Sequence, residues 1–180
     1  SDLQGYDYHC EILECRPEGI CLRVLEKEEN QTEPDLQITL YQALPKGDKL
    51  EYIVQKAVEM GVSRIVPMLT KRCVARTNRA EFTKKRERLE RISLEAAKQC
   101  GRGIIPEVSN ILSFDEVLVQ MGEEPAIVFY EGGGRRVSEL LNAKVPRVSI
   151  FIGSEGGFEA EEVARLEEKG VFRATLGKRI

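Results

Sequence analysis

Between Ile152 and Phe158 the chain reads Ile-Gly-Ser-Glu-Gly-Gly-Phe, three glycines with a hydroxyl and a carboxylate set between an apolar run and a helical pattern. Glycines at such a place let bare backbone approach a ligand, and the side chains among them could orient it or accept a proton. The spacing matches no phosphate or nucleophile signature. Glu155 stands where G-x-G-x-x-G needs its second glycine, and Ser154 follows Gly153 directly instead of one residue later as in a G-x-S-x-G elbow. Gly177-Lys178 is no phosphate loop either, because Phe172 holds the place of that motif's first glycine and Arg179 that of its Ser/Thr.

Other chemistries find little support. The single histidine, His9, has no second imidazole or cysteine at metal spacing, and Cys10, Cys15, Cys21, Cys73 and Cys100 form no C-x-x-C pair. No metal site is expected, and free thiols in a reducing compartment are the expectation for an odd, unevenly spaced set. No uninterrupted apolar stretch could span a bilayer and no signal peptide is visible, so a cytoplasmic protein without membrane contact is expected.

The net charge of −3 hides an uneven distribution. From Lys71 to Arg102 there are eleven Lys/Arg against four Glu, a surplus of seven, so the remainder carries −10. A protein that meets phosphates with one face has this footprint; a solvated helix laced with i,i+4 salt pairs is the alternative.

These residues need a frame, and hydrophobic periodicity supplies one. Tyr6 to Leu25 reads as short strands turning at Pro17-Glu18-Gly19, followed by a polar linker from Glu26 to Asp35. Strands are expected at Leu36–Leu40, Arg64–Leu69, Ala126–Tyr130, Arg147–Ile152 and Phe172–Leu176. Helices are expected from Asp48 to Met60, Arg79 to Cys100, Ser113 (a capping box with Glu116) to Met121, and Glu159 to Lys169. Alternation of this kind implies an α/β domain with a Rossmann-like parallel sheet, whose ligands lie beyond the carboxyl ends of the strands. Three loops then matter: Glu131–Arg135, Gly153–Phe158 and Gly177–Ile180.

Taken in order, several runs resemble one family. Lys46-Gly47-Asp48-Lys49, Gln55 to Val62 (Gln-Lys-Ala-Val-Glu-Met-Gly-Val), Lys71-Arg72-Cys73, Glu95 to Arg102 with Pro106, the Ile152–Phe158 turn and Leu176 to Ile180 are similar to the bacterial 16S rRNA uridine-N3 methyltransferases of the SPOUT superfamily. The likeness covers Leu36 to the end. Ser154 replaces the family's usual proline, and the chain stops inside the final motif, which in the family continues Leu-Arg-x-Glu-Thr-Ala into a helix.

The resemblance implies a SPOUT methyltransferase domain at 35–180 with a C-terminal trefoil knot, incomplete where the chain stops, and a partial PUA-like β-barrel domain with linker at 1–34. It implies S-adenosylmethionine as cofactor, bound by Tyr130, Glu131, Ile152, Gly153, Glu155, Gly156, Gly157, Leu176, Gly177 and Ile180, with Ile152 and Leu176 against adenine. A homodimer acting on 16S ribosomal RNA or the small ribosomal subunit is implied as well. A knot departs from ordinary connection rules, so periodicity alone cannot reveal it. For the chemistry, Arg102 and Arg179 are candidates to stabilise a uridine anion, and Glu155 and Glu131 to take the N3 proton; Glu155 could instead hold its own loop through backbone amides. Lys56, Lys71, Arg72, Arg76, Gln99 and Arg102 are the candidate RNA-facing residues. The alternatives are another SPOUT specificity, such as tRNA ribose 2′-O methylation, and a non-catalytic RNA-binding module. The first would sit with loss of the Lys56–Gly61 and Gln99–Arg102 runs, and both are present.

Overall fold

In the computed structural model, which describes residue 2, residues 5–141 and residues 145–177, the chain opens with a long hairpin. Strands β1 (Tyr6–Arg16) and β2 (Gly19–Glu29) pair antiparallel from Tyr6↔Glu29 to Arg16↔Gly19, with register shifts after His9 and Ile12. The strands run further than expected. Cross-strand pairs extend the ribbon to Glu29: His9 Nε2 lies 2.8 Å from Glu28, and Lys27 sits 3.7 Å from the Tyr6 ring centroid. Ile12, Leu13, Ile20, Leu22, Val24 and Leu25 are all exposed, so the described residues bury neither face of the ribbon.

The shortened linker is pinned to the remainder. Asn30 Nδ2 donates to Asp7 (2.7 Å) and to the Gly101 carbonyl (3.2 Å), and Thr32 Oγ1 donates to the same carbonyl at 2.8 Å.

Beyond it lies the expected parallel sheet, seven-stranded among the described residues. Its order is β5 (Glu107–Val108), β4 (Arg64–Leu69), β3 (Gln37–Ala43), β8 (Arg147–Ile152), β7 (Ala126–Phe129) and β9 (Phe172–Ala174), with β6 (Leu112–Ser113) continuing beside β4. All pairs in it are parallel. The helices are α1 (Lys49–Glu59), α2 (Arg79–Gln99), α3 (Phe114–Gln120), α4 (Val137–Leu140) and α5 (Ala160–Glu168). Capping boxes fix three helix starts: Asn78 with Glu81 for α2, Ser113 with Glu116 for α3, and Glu159 with Glu162 for α5.

The core forms where the apolar stripes of α1 (Leu50, Val54, Val58) and α2 (Phe82, Leu89, Ala96) meet β3, β4 and β8. At its centre Tyr41 of β3 and Phe151 of β8 stack, with centroids 4.5 Å apart. The short β5, β6 and α4 carry too few residues to show a period, which is why the sequence did not disclose them.

Strand order reverses between β3 and β8. The chain leaves β3 toward β4 and β5 on one side, and leaves β8 for β9 on the other. Their carboxyl ends therefore flank the crevice where an open α/β sheet places its ligand.

Candidate active site at the sheet switch point

Loops from β3, β4, β7 and β8 converge at this edge, and the glycine turn after β8 is their hub. Gly157 donates its amide to the Ser154 carbonyl at 2.9 Å, closing the turn. A Cβ on Gly153 would lie 2.8 Å from Gly157 Cα, and Gly157 itself has φ +69°. A side chain at Gly153 would open the turn, and one at Gly157 would strain the backbone and displace the Glu131 carboxylate. The loop after β7 is as tight, since a Cβ on Gly134 would stand 2.7 Å from the Ala174 backbone. Two bare-backbone edges at neighbouring strand ends suit a ligand held chiefly by main-chain groups.

From the β3 side, Gln42 Nε2 donates to the Gly153 carbonyl at 3.2 Å. The Glu155 carboxylate accepts from Lys49 Nζ at 2.6 Å and from the Lys46 amide at 3.3 Å. Lys49, then Glu155's own amide, pull its carboxyl down to about 2. Of the two roles considered for Glu155, loop-holder and proton acceptor, the geometry favours the first, because so acidic a carboxyl is a weak base near neutral pH.

From the β4 side, Arg72 reaches three loops. Its Nη1 donates to the Gly156 carbonyl (2.9 Å) and to Glu131 (3.1 Å), while Nε donates to Glu159 at 3.0 Å. Arg72 holds the Glu159 carboxyl below its ordinary value. Beside it the Lys71 amide donates to buried Glu162 at 2.8 Å and the Lys71 ammonium pairs with Glu161. Arg76 donates to the carbonyls of Thr70 (3.4 Å) and Lys71 (3.1 Å). These three cations, expected to face RNA, thus also bind their own loop and the first turn of α5.

Arg102 corrects its expectation. Proposed both to steady a uridine anion and to touch RNA, its side chain is 4% exposed and ion-paired with Glu33 at 2.8 Å. Its Nη1 donates to the carbonyls of Val58 (3.1 Å), in the last turn of α1, and Val62 (2.7 Å), just beyond it. Burial pushes the Glu33 carboxyl up, but Arg102 and the Ile104 and Gly103 amides outweigh it, and the net shift is downward. Arg102 is a buried clamp between linker, α1 and the end of α2.

Lys56 pairs with Glu59 at 2.7 Å on the outside of α1. Gln99 lines a separate groove of about 680 Å³ with Gln55, Arg88, Arg91 and Ile92. Tyr130 donates its amide to Ala174, and Leu176 is exposed past the end of β9. Glu131, Ile152, Gly153, Glu155, Gly156 and Gly157 thus come together; Arg179 and Ile180 lie outside the described residues. Gln42, Lys49 and Glu159 also belong to the site, although no catalytic or binding signature in the sequence marks them. Charges of opposite sign just beyond β3, β4 and β8 were the available signal. Among the described residues no His/Cys/Asp/Glu cluster could hold a metal.

Residues 32–180 match the family described as RNA methyltransferase domain. The ribosomal RNA small subunit methyltransferase E of Bacillus subtilis is 32% identical over 184 residues, which cover 98% of this chain and 72% of the relative. Two solved structures share the fold over 99% of this chain and 73% of theirs. One is a ribosomal RNA small subunit methyltransferase E of Neisseria gonorrhoeae bound to S-adenosylmethionine (TM-score 0.89, 27% identity). The other is a methyltransferase of Legionella pneumophila in complex with the same cofactor (TM-score 0.87, 28% identity).

Proposed function

Because the chain belongs to the RNA methyltransferase family, we propose that it transfers a methyl group from S-adenosylmethionine to N3 of a uridine in 16S ribosomal RNA of the small subunit. The observation that carries this reading is the glycine turn at the switch point, closed on itself and gripped by Gln42, Lys49 and Arg72. S-adenosylmethionine supplies an electrophilic methyl on sulfur, so the protein's task is placement and charge rather than elaborate acid–base chemistry.

Tyr130, Glu131, Ile152 to Gly157, Leu176 and Gly177 form the cofactor-binding set in this reading, with Ile152 and Leu176 offering apolar contact. A C-terminal trefoil knot belongs to the same proposal. Its support is the way the loop after β7 wraps β9: Tyr130 N donates to Ala174 O, Arg135 N to Arg173 O and Thr175 N to Arg135 O. The hairpin and linker (1–34) form part of a PUA-like β domain beside the methyltransferase domain (35–180), and the enzyme works as a homodimer in the cytoplasm. Among the described residues no helix is long and apolar enough to cross a membrane. The RNA runs past the α1–α2 groove, where Lys56, Gln99 and Arg91 face outward, toward Lys71, Arg72 and Arg76.

The test is methylation of small subunits taken from cells that lack the gene, followed by digestion and mass spectrometry of the nucleosides. The reading expects 3-methyluridine at one site. A 2′-O-methylated product, or cofactor binding with no methylated nucleoside, would replace it with another specificity or with a non-catalytic RNA-binding module.

A further inference from the structure

We propose that Lys49 is a catalytic residue whose ammonium, fixed by Glu155 at the β3–β8 switch point, donates a hydrogen bond to a carbonyl oxygen of the target uracil as its N3 proton departs. This rests on the methyltransfer reading above.

The placement comes from topology. Lys49 is the first residue of α1, reached from the end of β3, and Glu155 lies in the turn after β8. These are the adjacent strands whose connections diverge, so their loops wall the ligand crevice. The 2.6 Å contact with Glu155 and the carboxylate's second tie to the Lys46 amide fix the ammonium against the backbone of the turn. An ammonium has three donors. One goes to Glu155, and with the Lys49 side chain 62% exposed the others are open to a substrate.

Chemistry favours this group over its neighbours. Uracil N3 lies between two carbonyls, and as its proton passes to water, negative charge spreads onto both oxygens. The nitrogen lone pair then forms the new N–C bond while the S–C bond breaks and its electron pair stays on sulfur, leaving a neutral thioether. A preset donor to a carbonyl oxygen lowers the barrier to the first event without acting as a base. Arg72 is occupied by Glu131, Glu159 and the Gly156 carbonyl, and Arg102 is buried.

The experiment compares wild type with Lys49→Gln, Lys49→Arg and Glu155→Gln on unmethylated small subunits. Single-turnover rates are measured across pH, cofactor and RNA affinities separately, and folding by thermal melting. Lys49→Gln loosens one tie to the turn, so its cofactor affinity is expected to fall, but its single-turnover rate at saturating cofactor and RNA should still be down about 10²-fold or more, as for a missing oxyanion donor. Its rate profile should move to higher pH, and the deficit should shrink when the target carries 5-fluorouridine, whose N3–H is more acidic. Lys49→Arg should recover part of the rate, and Glu155→Gln should show a smaller loss with the same pH displacement. A loss that is equal at every pH and with either base, or one confined to cofactor or RNA affinity, overturns the assignment. If wild type yields 3-methyluridine and Lys49→Gln is indifferent, this proposal alone falls. If wild type yields none, the parent reading falls and takes the proposal with it.

Discussion

Replacing Arg102 separates a structural clamp from an RNA contact. In Arg102→Ala the guanidinium disappears from a site where it is 4% exposed, leaving Glu33 without its 2.8 Å partner and the Val62 carbonyl without its side-chain donor, while the Val58 carbonyl keeps only the Gly61 amide. Removing one member of a buried pair costs about 3–5 kcal/mol, because the remaining charge stays desolvated. With a urea m-value of about 2 kcal/mol/M, the midpoint should fall by roughly 1.5–2.5 M at unchanged m. The partly exposed Glu33 places the value toward the lower end. Arg102→Met with Glu33→Met should recover much of the loss, since an apolar pair leaves no charge unpaired. Acid provides a second reading. The folded-state pKa of Glu33 lies below its unfolded value, so its contribution is present above the unfolded carboxylate range and is lost as pH falls through the folded value. The gap between wild type and Arg102→Ala should therefore narrow in acid. An unchanged midpoint with collapsed RNA affinity would refute the clamp and return Arg102 to the RNA surface.

Three further outcomes follow from the site geometry. Gly153→Ala drives a Cβ to 2.8 Å from Gly157 Cα, so calorimetry should find cofactor binding lost while circular dichroism still reports a folded sheet; retained affinity would mean the turn is not the cofactor wall. Arg72→Gln unties the loops after β7 and β8, and the cofactor Kd should rise by about one to two orders of magnitude, as for two or three net hydrogen bonds lost, with RNA affinity changing less. Lys84 and Arg91 make no ion pair among the described residues, so changing both to Ala should flatten the salt dependence of RNA binding, whereas Arg86 and Lys98, paired with Glu90 and Glu95, should matter less. Equal slopes for the two double variants would remove α2 from the RNA surface.

The long periodic elements were legible because one physical signal dominated each. Strands Arg64–Leu69 and Arg147–Ile152 match their expected bounds, being apolar runs closed by turn residues. The Ser113–Glu116 capping box gave the start of α3 to the residue. The hairpin was read too short because pairing across a ribbon is not written in either strand alone: Glu26 and Glu28 look like linker until His9 and Asp7 stand opposite. The glycine turn drew attention by composition, but its clamps did not. Arg72 and Glu159 are 87 residues apart and Lys49 and Glu155 are 106 apart, so only strand order makes them neighbours. Arg102 failed for a related reason. Exposure is a tertiary property, and an arginine among basic helix residues looks like surface until the linker folds over it.

That failure changes what the charge asymmetry means. Seven of the eleven cations between Lys71 and Arg102 have acidic partners among the described residues, and most of those partners lie outside the segment: Glu33, Glu51, Glu116, Glu131, Glu159 and Glu161. The surplus of seven and the compensating −10 are thus partly the two sides of one set of staples, joining α2 and the β4 loop to the linker, α1, α3 and α5. A staple at the surface contributes little to stability and is screened by salt, so its cation stays available to a stronger anion. Phosphate oxygens approaching Lys71 or Arg72 would compete with Glu161 and Glu159 at the start of α5, directly after the glycine turn. RNA contact at the β4 loop would therefore act on the same ties that hold the glycine turn, coupling the two substrates through shared carboxylates without any large movement of the sheet.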